Sequence, residues 1–151
     1  MGFVDIQKAL KDSAQTEKDA MDFYKYGAEK MQDEKAKAMF EMLAKEEMEH
    51  ARSFYDACMG DGLPPFEKFI STPPDTESSW WIALKSAMLG EFDERKAMEL
   101  AIEQEEALEK ELIAMAEQID DPAVKEIYLA NAKSTHRHEE MIEEDYRAIY
   151  G

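Results

Sequence analysis

The chain has 151 residues and a formal net charge of −17; 44% of it is hydrophobic and 35% charged, with six glycines and five prolines. That length fits one domain with one core, and the apolar share argues against disorder. A polyanion of this size repels nucleic acid and anionic membrane surfaces while attracting cations, so neither of those is expected as a partner.

The first residues lack the basic start and apolar run of a signal peptide, and Ile6 stands where a myristoylation signal needs Ser or Thr. From Asp5 to Met31 apolar residues recur at helical spacing through Ile6, Leu10, Ala14, Met21, Tyr24 and Ala28, which predicts a first long helix. A break at Gln32 follows, with Asp33 as the N-cap of a second helix over 34–59 whose stripe is Met39, Leu43, Phe54 and Cys58. Gly60 is its expected stop. The single cysteine, Cys58, permits no internal disulfide and no paired-cysteine metal knuckle. It reads as a small buried apolar residue, and its solitude fits a reducing, cytoplasmic setting. No segment approaches the ~20 apolar residues needed to cross a bilayer.

Residues 60–78 hold Pro64-Pro65 and Pro73-Pro74 and read as irregular chain. A short amphipathic helix is predicted over Ser79 to Leu89, with Trp80 and Trp81 either covering one end of the core or making a dimer contact. Gly90 breaks it and Asp93 caps a third long helix to about Ile119, whose inward face carries Met98, Ile102, Leu108, Leu112, Met115 and Ile119. Asp121 as N-cap and Pro122 at the first helical position open the last helix, which runs to about Ile149. The predicted class is all-α. It is one domain over 1–151, an antiparallel four-helix bundle with a long crossover (about 60–92) between the second and third long helices, carrying one short extra helix.

Acids and histidines interrupt the apolar stripes. Glu17 lies seven residues after Leu10 and seven before Tyr24; Glu47 and His50 lie between Leu43 and Phe54; Glu105 lies between Ile102 and Leu108; His138 falls between the inward positions 135 and 142. Measured from the two turns, Glu17 is level with Glu47, and Glu105 with Thr135. The two halves repeat with an offset of about 88 residues, which carries Glu17 to Glu105, Glu47 to Thr135 and His50 to His138. Several carboxylates at one level of a core cannot remain ionised and unpaired. They are protonated, hydrated, or held by a cation, and carboxylate with imidazole suits iron or manganese first, and zinc after them.

The segment Thr16-Glu17-Lys18-Asp19-Ala20-Met21-Asp22-Phe23-Tyr24, then Glu47-Met48-Glu49-His50, then Ala101-Ile102-Glu103-Gln104-Glu105, resembles the rubrerythrin and ferritin-like di-iron family, without its rubredoxin-like module. The resemblance implies a ferritin-like bundle with metal ligands Glu17, Glu47, His50, Glu105 and His138. Glu17 and Glu105 would be terminal or bridging carboxylates, Glu47 a bridge, and each histidine would hold one metal. It also implies iron as cofactor, peroxide reduction or ferrous iron oxidation with oxygen, a separate electron-donor protein and a homodimer. The sequence departs from the family pattern once: Thr135 stands where a carboxylate is expected. A non-redox or degenerate bundle holding one metal or none is therefore the alternative reading. Glu109, one turn from Glu105, stands where it could compensate. His136 should point outward. Tyr24 and Tyr128 either hydrogen-bond ligands or simply pack.

Overall fold

The computed structural model describes residues 5–58 and 63–151. Among these the only regular secondary structure is α-helix: α1 (Ile6–Lys30), α2 (Glu34–Ala57), α3 (Phe66–Ile70), α4 (Ser79–Ala87), α5 (Glu94–Glu117) and α6 (Pro122–Tyr150). Local chemistry sets the starts. The Asp5, Asp33, Asp93 and Asp121 carboxylates and the Ser78 hydroxyl each accept a backbone N–H from the first turn of the helix that follows. The Asp121 cap takes two such donors, from Ala123 and Val124 at 2.9 and 3.2 Å. Asp121→Ala should cost about 1 kcal/mol, read as a melting temperature lowered by about 2–4 °C.

Three sequence expectations need correcting here. The segment 60–78 is not wholly irregular, because α3 forms directly after Pro64-Pro65, whose fixed φ suits a helix start. Its Phe66 ring is buried and packs with Phe69 and Tyr55, and the Tyr55 hydroxyl donates to the Pro64 carbonyl. On α5, Met98, Leu108, Leu112 and, just past its end, Ile119 are buried as expected, but Ala97, Ala101 and Ala116 share that face, whereas Ile102 and Met115 are only half-buried. Small side chains allow close helix approach along that face, and Ile102 and Met115 sit at its margins. Cys58 is half-buried rather than enclosed. The expected stop at Gly60 lies outside the described residues, α2 being described to Ala57.

The α1 helix packs along α2, α5 packs along α6, and α2 meets α6, while α4 lies against α1 and α5. One cluster of buried apolar residues runs through all of them. At one end it is aromatic: Phe23, Tyr24, Phe40 and Trp80 pack edge-on or tilted with centroids 5.0–5.9 Å apart. Trp80 therefore belongs to the core, and Trp81 is half-buried edge-on against Tyr26. Gly27 lets α2 come this close, since a Cβ there would stand 3.1 Å from the Phe40 ring. At the α1–α2 turn, the Glu94 carboxylate at the start of α5 accepts the backbone N–H groups of both Gln32 and Asp33, at 2.8 and 3.0 Å. This aromatic group lies on the α1–α2 turn side of a polar layer, and Leu10, Phe54 and Tyr128 are buried on its other side.

Candidate metal centre

That layer is built from four helices. The α1 helix supplies Glu17, α2 supplies Glu47 and His50, α5 supplies Glu105, and α6 supplies His138. Glu17, Glu47 and Glu105 are 0% exposed and His138 is 1% exposed. Their donor atoms form two groups that share one member. Glu17, Glu47 and His50 each bring an atom within 4.8 Å of the others, and so do Glu47, Glu105 and His138. The five residues picked from the stripes thus converge, with Glu47 common to both halves.

The two imidazoles are oriented alike. Their rings stack nearly parallel, 9° apart with centroids at 5.3 Å. His50 turns Nδ1 towards Glu17 (3.4 Å) and Glu47 (3.8 Å), and His138 turns Nδ1 towards Glu47 (2.8 Å) and Glu105 (3.5 Å). Each ring is held from behind at Nε2: His50 by the Ser134 hydroxyl at 2.9 Å, His138 by the Glu46 carboxylate at 3.1 Å. An acceptor at Nε2 favours the proton there and leaves the Nδ1 lone pair facing inward; the Glu46 carboxylate does so for His138, and the Ser134 hydroxyl, which can accept or donate, allows the same tautomer for His50. Glu46 has an acceptor only, so the proton on that side of His138 belongs to the ring.

The inward atoms lack partners. Both oxygens of Glu17, both of Glu47, Oε2 of Glu105 and Nδ1 of each histidine are buried without a hydrogen bond. Such atoms are rare in a folded core, and each costs on the order of 1–3 kcal/mol or more. The electrostatics show the same tension. Burial, followed by the charges of Glu105 and Glu17, holds Glu47 well above the ordinary carboxylate range. Burial also raises Glu105, although His138 and the Tyr24 hydroxyl oppose it. Burial pushes Glu17 the same way, but the neighbouring His50, Glu47 and His138 outweigh it and leave Glu17 low. For His138, burial favours the neutral ring, yet Glu105 and Glu46 together raise it. Three carboxylates and two imidazole nitrogens facing an enclosed, unpartnered centre suit a hard or borderline divalent cation.

Tyr24 resolves towards the site: its hydroxyl donates to Glu105 Oε1 at 2.9 Å and so fixes which oxygen of Glu105 turns inward. Tyr128 does not touch these residues; it pairs with the Ser13 hydroxyl at 2.7 Å. Those two residues line a cavity of about 170 Å³ between α1, α5 and α6, which also touches Asp12, Thr16, Glu111 and Glu17. Thr135 is fully buried, and its hydroxyl donates to the Asn131 carbonyl at 2.8 Å, a bond internal to α6. Glu109 does not fill the vacant carboxylate role. It lies instead with His136 and Glu139 in a third group, set apart from the other two. His136 points outward as expected, its side chain 55% exposed.

Sequence reasoning did not anticipate Glu46 and Ser134 behind the imidazoles. Their only signal is position: Glu46 precedes the inward Glu47, and Ser134 precedes Thr135, so each sits at the edge of the inner face. It also passed over a second buried polar pair on α1, Lys18 and Asp22, joined at 2.6 Å with side chains 0% and 5% exposed.

Residues 8–68 match the rubrerythrin family model. The match supports the rubrerythrin, ferritin-like family for this chain. It spans nearly all of α1, the whole of α2 and the start of α3, and so contains Glu17, Glu47 and His50. Glu105 and His138 lie beyond it and rest on geometry. No curated protein and no solved structure matches the chain.

Proposed function

We propose that the chain is an iron-binding, rubrerythrin-type protein. In this reading one domain over 1–151, an antiparallel four-helix bundle crossed over between α2 and α5, encloses a centre held by Glu17, Glu47, His50, Glu105 and His138. The observation that carries it is the set of buried donor atoms from four helices that face one another with no other partner. Glu47, shared by both groups, is the bridging carboxylate, and the Nδ1 atom of each histidine is a ligand. Tyr24, Glu46 and Ser134 hold the ligands in place. Iron held by these residues would relay two electrons from the separate donor protein to peroxide, which with two protons gives two waters, or would let ferrous iron as substrate give up its electrons to oxygen. Manganese or zinc fits the same donors. The resemblance adds a separate electron-donor protein and a homodimer. The cavity beside Glu17 is large enough for a small oxidant and is lined by the acidic Asp12 and Glu111, which favour entry of cations.

A second reading has its own observation. Thr135 is committed to the Asn131 carbonyl and adds no charge, so α6 supplies an imidazole but no carboxylate. With three carboxylates, two divalent cations would leave the buried centre with one positive charge in excess, which opens the reading of a single-metal, non-redox centre. Metal analysis of chain purified from iron-supplemented cells separates the two. Two irons per chain with an oxo-bridge absorption band carry the first reading. One metal without a response to peroxide or oxygen carries the second. A chain that holds no metal and is indifferent to chelator defeats both. Thr135→Glu should raise the metal count of a one-metal chain to two, measured the same way, because it restores the missing carboxylate on the inward face.

A further inference from the structure

We propose a separate surface site for a divalent first-row cation, built from Glu109 on α5 and His136 and Glu139 on α6. One atom of each lies within 4.8 Å of the others. His136 Nδ1 is 3.2 Å from Glu109 Oε1 and 3.7 Å from Glu139 Oε2. The burial of the three is graded: the His136 side chain is 55% exposed, that of Glu109 is 23% and that of Glu139 is 9%. The group therefore opens outward through the imidazole and is floored by a buried acid.

The floor points to a ligand. Glu139 as a whole is 6% exposed, yet its Oε2 is buried without a hydrogen-bond partner and faces the imidazole. An acid that needed only solvent would turn outward on α6, as Glu140 does. Glu139 instead lies against a second carboxylate, an arrangement that calls for a proton or a cation between them. The imidazole repeats the pattern of the inner centre. Nδ1 faces the carboxylates and is hydrogen-bonded to Glu109 at 3.2 Å, where a cation would take the place of the shared proton, while Nε2 lies 3.6 Å from Glu140 Oε1. One imidazole and two carboxylates are a donor set for iron(II), manganese(II), cobalt(II) or zinc, with open positions left for water. These residues share no ligand with the five inner ones, so this site stands whether or not the inner centre holds iron.

The test uses the full chain and cobalt(II), followed by its visible absorption and by calorimetric stoichiometry. His136→Ala should remove one cobalt per chain from the parent's count and leave the rest. Glu139→Gln should weaken that same site roughly tenfold or more. In a chain carrying Glu17→Gln and Glu47→Gln, one cobalt should remain, and adding His136→Ala should abolish it. If His136→Ala leaves the parent's stoichiometry and spectrum unchanged, the proposal is overturned, and that holds even if the doubly substituted chain fails to fold. A parent that binds one cobalt, lost with His136→Ala, would keep this site and count against the inner one.

Discussion

Stripping metal from the purified chain with a chelator should lower its melting temperature by about 10 °C, and adding back iron(II), manganese(II) or zinc should restore it. A cation present at a thousand times its dissociation constant stabilises a folded chain by about 4 kcal/mol, and about 2–4 °C accompany each kcal/mol for a chain this long. The physical origin is the set of unpartnered atoms. Without a cation, burial and the charges of Glu105 and Glu17 push the Glu47 carboxyl well above the ordinary carboxylate range, and the inward nitrogens of His50 and His138 have no hydrogen-bond partner. Glu47→Gln sharpens the test. The amide has the shape of the acid but no charge to bury, so the metal-free variant should melt no lower than the metal-free parent. It should also lose most of the gain on adding metal, because the group common to both halves is gone. A parent whose melting temperature ignores both chelator and metal would remove the ground for any bound cation in the core.

Asp22→Ala should be the most damaging single change outside the centre, costing about 3–5 kcal/mol and about 10 °C or more in thermal unfolding. Lys18 is fully buried, and Asp22 is its 2.6 Å partner one helical turn away. Removing the acid strands an ammonium group in the interior. The pair itself is not a source of stability. Burial holds Asp22 above the ordinary aspartate range even with Lys18 bonded to it, which means that desolvation outweighs the attraction. Joint replacement, Lys18→Met with Asp22→Leu, should therefore recover most of the loss or exceed the parent. A single variant as stable as the parent would show that Lys18 reaches solvent at little cost.

Much of this architecture was legible in the residues. The helix starts were readable because each needs a short polar side chain in one position, and Asp33, Asp93 and Asp121 stood there. The five inward polar residues were readable because a carboxylate on an apolar stripe has few explanations. Reading failed where helical phase alone decides. On α5, Ile102 looks inward by hydrophobicity, yet the alanines at 97, 101 and 116 hold the inner face. Small residues make little mark on a hydropathy pattern but permit close packing. Lys18 and Asp22 were passed over because a charged residue on a helix is ordinarily solvated, and only tertiary packing shows that this pair is not. The 88-residue repeat foretold the shape of the centre but not the partners behind its rings: Glu46 and Ser134 are themselves related by that offset, each standing behind the imidazole of the other half, but their unlike side chains hid the correspondence.

The cavity beside Glu17 has a consequence for the order of events. By donor pattern the two halves of the centre are near copies, and a symmetric description would treat them as interchangeable. The hollow between α1, α5 and α6 touches Glu17 but not Glu105, His138 or His50. A small reactant arriving by that route meets the α1 carboxylate first and the others only beyond it. In the proposed centre the likeness inherited from the repeat would thus be broken by geography, the Glu17 side being reached early and the Glu105 side late.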